Sequence, residues 1–173
     1  MVAARTILVL NSGSSSLKFA LFGASRDLPC VFSGVLERIG LAQSHFVARV
    51  AGRKIVLEEW CELPDHDAAL SHLLPALEAR LAAQTIVAAG HRVVHGGSFV
   101  EHQRVSPKML ATLRGMTDLA PLHLPGNIAG LDALRRTRPD LAQYACFDTA
   151  FHCAMPSVAH MTGLPRELAH EGV

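Results

Sequence analysis

Short apolar runs fill the first third of the chain, and a helical period then takes over. Thr6 to Leu10, Leu17 to Phe22 and Cys30 to Ile39 are bounded by polar, Ser/Gly-rich turns and read as strands. His45 to Val50 and Lys54 to Trp60 flank Ala51-Gly52-Arg53, which predicts a hairpin with a short Gly-containing loop. From about Asp65 to Ala83, residues Leu70, Leu73, Leu74, Leu77 and Leu81 recur at helical spacing. Pro75 falls inside that pattern and predicts a kink or two separate helices.

The next strand is Thr85 to Ala89, extended through His91 to Val94 and ended by Gly96-Gly97. Ser106-Pro107 predicts a helix start, with Ser as cap and Pro in the first turn. Pro121 to Asn127 reads as a Pro/Gly-broken loop, followed by a helix to about Arg136. Gln143 to Phe147 is a further strand ending at Asp148, and Leu164-Pro165 opens a short helix that Gly172 would stop.

Strands first, then alternating helix and strand, predict an α/β fold with a mixed sheet and helices packed on it. Asn11, His95 and Asp148 each follow an apolar strand. Ligands of open α/β sheets bind outside the carboxyl ends of strands, so these three positions are candidate site residues.

Composition narrows the classes. The chain has 173 residues, half of them hydrophobic, which suits one domain with a sizeable core. A formal net charge of +1 lacks the basic excess of a nucleic-acid or membrane-surface binder. No apolar run is long enough for a membrane span, and Met1 to Leu10 lacks the apolar centre of a signal peptide. A cytoplasmic location is expected. Cys30, Cys61, Cys146 and Cys153 are irregularly spaced and are expected to be reduced core thiols.

The segment N-S-G-S-S-S-L-K, Asn11 to Lys18, carries the clearest chemistry. Small residues let the backbone approach a phosphate, and hydroxyls and N–H groups can donate to its oxygens. It is not a Walker A loop, because the spacing differs and a strand follows. An ordinary Ser/Gly hairpin turn explains the same residues equally well.

That segment resembles the N-terminal signature of acetate kinases and their short-chain carboxylate relatives. Three further stretches resemble the same family in the same order: G-H-R-V-V-H-G-G (Gly90 to Gly97), A-P-L-H-L-P-G-N (Ala120 to Asn127) and F-D-T-A-F-H (Phe147 to His152). L-P-R-E-L from Leu164 also matches. The resemblance implies an N-terminal ribonuclease H-like lobe of the actin-like ATPase kind. It implies reversible phosphoryl transfer from ATP to acetate, with Mg²⁺ or Mn²⁺ as the metal.

By resemblance, Arg92 meets the carboxylate substrate or the transferring phosphoryl group, and His123 hydrogen-bonds that group in the transition state. Val94 and Leu122 line the pocket for the substrate's methyl group, although plain core packing is the simpler reading of both. Asp148 orients substrate or holds the metal through water, with Asn11 near the metal. Ser14, Ser16 and Lys18 lie on the phosphate side. Propionate or butyrate kinase is the nearest rival, and a non-catalytic anion- or partner-binding domain is the rival from another class.

Family members are about twice this length and form homodimers mainly through a C-terminal lobe. Residues 1–173 are therefore expected to be the N-terminal lobe, inactive or poorly active alone, with an exposed apolar face that favours self-association. The remaining features read as structural. His91, His95, His152 and Cys153 match no zinc spacing. Arg135, Arg136 and Arg138 read as the basic last turn of a helix.

Overall fold

The computed structural model describes residues 4–50, 54–81, 84–160, 163, 165 and 167–168. Five strands come first: β1 (Ala4–Ser12), β2 (Ser16–Gly23), β3 (Cys30–Glu37), β4 (Ser44–Val50) and β5 (Ile55–Cys61). They form an antiparallel meander, each strand paired with the next. Helix α1 (His66–Leu81) crosses over to β6 (Gln84–Val93), which returns parallel to β1. After a two-residue strand β7 (Gln103–Arg104) come α2 (Pro107–Arg114), α3 (Leu124–Thr137) and β8 (Ala142–Phe147), and β8 is parallel to β6. Short helices α4 (Asp148–His152) and α5 (Ser157–His160) follow. The eight strands make one mixed sheet in the order β5-β4-β3-β2-β1-β6-β8-β7. Among the described residues no helix is long and apolar enough to cross a membrane.

Pleat alternation decides which face is covered. Leu8 and Leu10 of β1 and Leu17, Phe19 and Leu21 of β2 are buried in one cluster with Leu70, Leu73 and Leu77 of α1. Val93, Ala145 and Phe147 are buried in a second cluster with α2 and α3. Helix α3 contributes to both, through Leu134 on the first and Leu124 and Leu131 on the second. The run of arginines fastens this arrangement from outside. Arg136 of α3 and Arg138, its C-cap residue, pair with Asp67 and Glu78 of α1, at 2.5 and 2.9 Å.

Several expectations change. Helix α1 runs unbroken through Pro75. Pro75 and Ser71, whose carbonyl loses its helical donor, both lie on the exposed side, where water can satisfy that oxygen. The expected loop from Pro121 to Asn127 ends early, because α3 already begins at Leu124 with Pro125 in its first turn. Proline is suited to that position, since its missing N–H would be unpaired there anyway. The four cysteines are free, as expected, but none is fully buried: Cys61 packs against the edge of the first cluster, and Cys30 and Cys153 are exposed. The loop Ala51-Gly52-Arg53, Ala83 at the expected end of the long helix, and Leu164 and Gly172 around the expected last helix lie outside the described residues.

One buried titratable group sets a pH dependence. His91 of β6 is 2 % exposed, and its Nε2–H donates to Gln143 Oε1 of β8 at 3.1 Å. Burial pushes its pKa down from 6.5 to about 4, while the Gln143 hydrogen bond pulls weakly the other way. Unfolded His91 takes a proton near pH 6.5 and the folded residue does not until about pH 4. Stability conferred by this residue is therefore complete above pH 6.5 and falls as the pH drops through that window. The slope is at most about 1.4 kcal/mol per pH unit. Urea unfolding from pH 7 to pH 4.5 should show this loss, and His91→Gln should flatten the curve relative to the parent chain.

Candidate active site

The three parallel strands β1, β6 and β8 end side by side, and the predicted residues gather at that edge. Pairing aligns Leu10 with His91 and Val93 with Phe147. Asn11 pairs with Lys18 across the β1–β2 hairpin. The buried residues Leu10, Ser12, Leu17, Phe19, His91 and Val93 face the helices. By alternation, Asn11, Ser16, Lys18 and Arg92 project from the opposite face. The result is a row running Ser16 and Lys18, Asn11, then Arg92, one strand to the next.

Asp148 completes the row. It is the first residue of α4, directly after β8. Arg92 Nε donates to both carboxylate oxygens of Asp148 at 3.0 and 3.1 Å, and Nη2 donates to Oδ2 at 2.7 Å. This fork is the planar, bidentate geometry that suits guanidinium to any carboxylate or phosphate. The Asp148 hydrogen bonds raise the Arg92 pKa further, so its charge is permanent. Both side chains remain open, at 52 % and 31 % exposure, and an incoming anion can reach them.

The Ser/Gly turn is tight and anchored on its inner side. Gly13 N–H donates to the Ser16 carbonyl at 2.8 Å. The carbonyl of Gly13 accepts from His66 Nε2 of α1, also at 2.8 Å. Ser14 is exposed and Ser16 half-buried, with their hydroxyls hydrogen-bonded to no described residue. Helix α3 points its N-terminus at this turn. A Cβ on Gly126 would lie 2.8 Å from the Gly13 carbonyl oxygen, and one on Gly130 would lie 2.1 Å from Ser12 Oγ. Two glycines one turn apart thus bring the positive end of a 14-residue helix against the loop.

Asn127 is the residue that sequence reasoning missed as part of the site. It is 4 % exposed, in the first turn of α3. Its Nδ2 donates to the Ser12 carbonyl at 2.5 Å, and its Oδ1 accepts from Val94 N–H at 3.0 Å. One side chain therefore ties the ends of β1 and β6 to the helix N-terminus. The motif Ala120 to Asn127 contained it, but nothing in the spacing distinguished it from a loop residue. Asn127→Ala should lower unfolding free energy by about 2–4 kcal/mol, since two buried backbone groups lose their partner. A shifted urea midpoint would check this.

Other predicted residues are placed less closely. His123 is the N-cap residue of α3, in a short turn between Pro121 and Pro125, with an exposed side chain. Leu122 is 79 % exposed and Val94 is half-buried, so neither is plain core. His95 turns back on itself, its Nδ1 accepting from Gly97 N–H at 2.9 Å, and Arg92 takes the strand-end position.

The oxygen donors suit a hard divalent ion. Asn11 and Asp148 are separated by β6, about 10 Å across the sheet. That separation fits an ion such as Mg²⁺, which keeps several waters and takes one or two protein oxygens directly.

Residues 6–173 match the family model described as Acetokinase family. The chain belongs to the acetokinase family. It is 39% identical over 165 residues to "Acetate kinase 2" of Listeria monocytogenes serotype 4b, covering 91% of this chain and 40% of that protein. It is also 39% identical over 171 residues to an acetate kinase of Rhodopseudomonas palustris strain TIE-1, covering 96% and 43%. The chain thus spans about two fifths of the length of these relatives.

Solved structures agree on the fold. A Porphyromonas gingivalis acetate kinase superposes with a TM-score of 0.81 at 30% identity, covering 97% of this chain and 43% of that one. A propionate kinase from Francisella tularensis gives 0.77 at 34% identity, with the same coverage. The mixed sheet with flanking helices is the actin-like ATPase fold of this family.

Proposed function

We propose that residues 1–173 supply the acceptor-side and phosphate-side wall of an acetate kinase site, transferring the γ-phosphoryl group of ATP to acetate. The observation that supports this best is the open Arg92–Asp148 fork, in one row with Asn11, Ser16 and Lys18. An acetate oxygen attacks the γ-phosphorus, and the bond to the β-phosphate oxygen breaks, with ADP taking the electron pair. The protein's task is to hold two anions together and neutralise charge.

Arg92 forks onto the carboxylate or the transferring phosphoryl group, leaving Asp148 free as it does so. Lys18 and the hydroxyls of Ser14 and Ser16 meet phosphate oxygens, beside the N-terminus of α3. His123 donates a hydrogen bond to the phosphoryl group, and Val94 and Leu122 face the methyl group. Bound Mg²⁺ or Mn²⁺, near Asn11 and Asp148, would neutralise phosphate charge.

The row is open to solvent on one side, and transfer needs water kept out. The chain alone is therefore expected to turn over little or not at all. The test is a coupled assay of ATP and acetate. It uses the chain alone and the chain with the part of the Rhodopseudomonas palustris acetate kinase beyond their match. Acetyl phosphate formed only in the mixture supports the proposal, and silence from a folded mixture points to an anion-binding domain. The Francisella propionate kinase likeness favours a second acceptor, propionate. One methylene is worth only about 1–3 kcal/mol, so both acids should be substrates.

A further inference from the structure

A second set of chemically active side chains lies at the far edge of the sheet. Glu59 and Cys61 are two residues apart on β5 and so project from the same face, toward α1. His72 of α1 faces them. The His72 nitrogen, a Glu59 carboxylate oxygen and Cys61 Sγ all lie within 4.8 Å of one another. His72 Nε2 and Glu59 Oε1 are 2.5 Å apart, and the imidazole stands edge-on to Phe46 with centroids 5.7 Å apart. A shallow cavity of about 380 Å³, lined by Leu57, Glu59, His72 and Pro75, opens beside Glu59 and His72. From β5 to β1 is four strand spacings, roughly 19 Å, so phosphoryl transfer does not use these residues.

We propose that Glu59, Cys61 and His72 form a binding site for a divalent transition metal of the Zn²⁺ or Co²⁺ class. A thiolate, an imidazole and a carboxylate are the donors that borderline-soft ions take, whereas Mg²⁺ and Ca²⁺ favour oxygen alone. Three protein ligands leave the fourth tetrahedral position to water, which the cavity admits. Ligands at about 2.0 Å on tetrahedral vertices stand about 3.3 Å apart, so His72 and Glu59 must part slightly. Half-exposed Glu59 has room for that rotation. On binding, the sulfur–hydrogen bond of Cys61 breaks, sulfur keeps the electron pair for the metal, and the proton leaves to buffer.

Co²⁺ titration of the EDTA-stripped 173-residue chain tests this directly. One equivalent should produce a thiolate-to-metal charge-transfer band, which Zn²⁺ then abolishes. Cys61→Ser should remove the band. His72→Ala should weaken Zn²⁺ binding by at least the roughly tenfold that follows loss of a supporting partner. Joint replacement of Cys30, Cys146 and Cys153 by Ser should leave the band in place. Without any substitution, Zn²⁺ should slow alkylation of Cys61 in the parent chain, located by peptide mass mapping. That footprint decides the matter if Cys61→Ser fails to fold. Absence of the band, its persistence in Cys61→Ser, or unchanged Cys61 alkylation would overturn the proposal.

Discussion

Arg92→Ala should lower acetyl phosphate formation about 1,000-fold in the reconstituted assay, the scale on which a transition-state arginine acts in phosphoryl transfer. It should leave folding almost unchanged. The Arg92–Asp148 pair is half-exposed, and such pairs contribute about 0–1 kcal/mol. A large kinetic effect beside a small shift in urea midpoint separates a catalytic role from a structural one. The kinetic constants then distinguish the two anions Arg92 could hold. A raised KM for acetate with kcat preserved places the fork on the acceptor carboxylate. A lowered kcat with KM preserved places it on the transferring phosphoryl group. Arg92→Lys keeps the charge but loses the planar fork, and should recover only part of the rate. Asp148→Asn should also be slow, through loss of the negative charge that holds Arg92 in place.

The strand-end logic was readable because it rests on local chemistry. A Ser/Gly turn between apolar runs, an Arg beside two valines and an Asp closing an apolar strand each mark a carboxyl end. Parallel pairing of β1, β6 and β8 then brings those ends together. What local pattern could not supply was tertiary. Pro125, Gly126 and Asn127 read as a loop by propensity, yet packing of Gly126 and Asn127 against Gly13 and Ser12 makes this segment the first turn of α3, with Pro125 on its exposed side. Pro75 reads as a breaker, but its exposed side keeps the freed carbonyl near water and the helix continues. The joining role of Asn127 depends on two backbone groups 33 and 115 residues away, which no spacing rule encodes. The same holds for Glu59, Cys61 and His72, which share no motif and meet only because α1 crosses β5.

Gly126 and Gly130 carry the other large expected effect, because they set how closely α3 approaches the turn. At Gly126 an added Cβ meets backbone, 2.8 Å from the oxygen and 2.9 Å from the carbon of the Gly13 carbonyl group. Backbone cannot rotate away, so helix or turn must shift. Gly126→Ala should therefore cost about 1–3 kcal/mol of stability. It should also slow transfer in the reconstituted assay, since the helix N-terminus moves away from the Ser/Gly turn. At Gly130 the obstacle is a side chain, with Ser12 Oγ at 2.1 Å and Cβ at 2.8 Å. Gly130→Ala should destabilise similarly, but that cost can be relieved. Ser12 Oγ is buried without a hydrogen-bond partner, so removing it sacrifices no bond in the folded chain. In Ser12→Gly/Gly130→Ala both obstructing atoms are gone, and the double variant should be more stable than the two single losses summed. A favourable coupling of 0.5 kcal/mol or more, the order seen for residues in contact, would show that close contact between β1 and α3 is what the glycine protects. Additive losses would mean that Gly130 serves the helix backbone instead. Gly126→Ala has no such partner to remove, so no Ser12 substitution should rescue it.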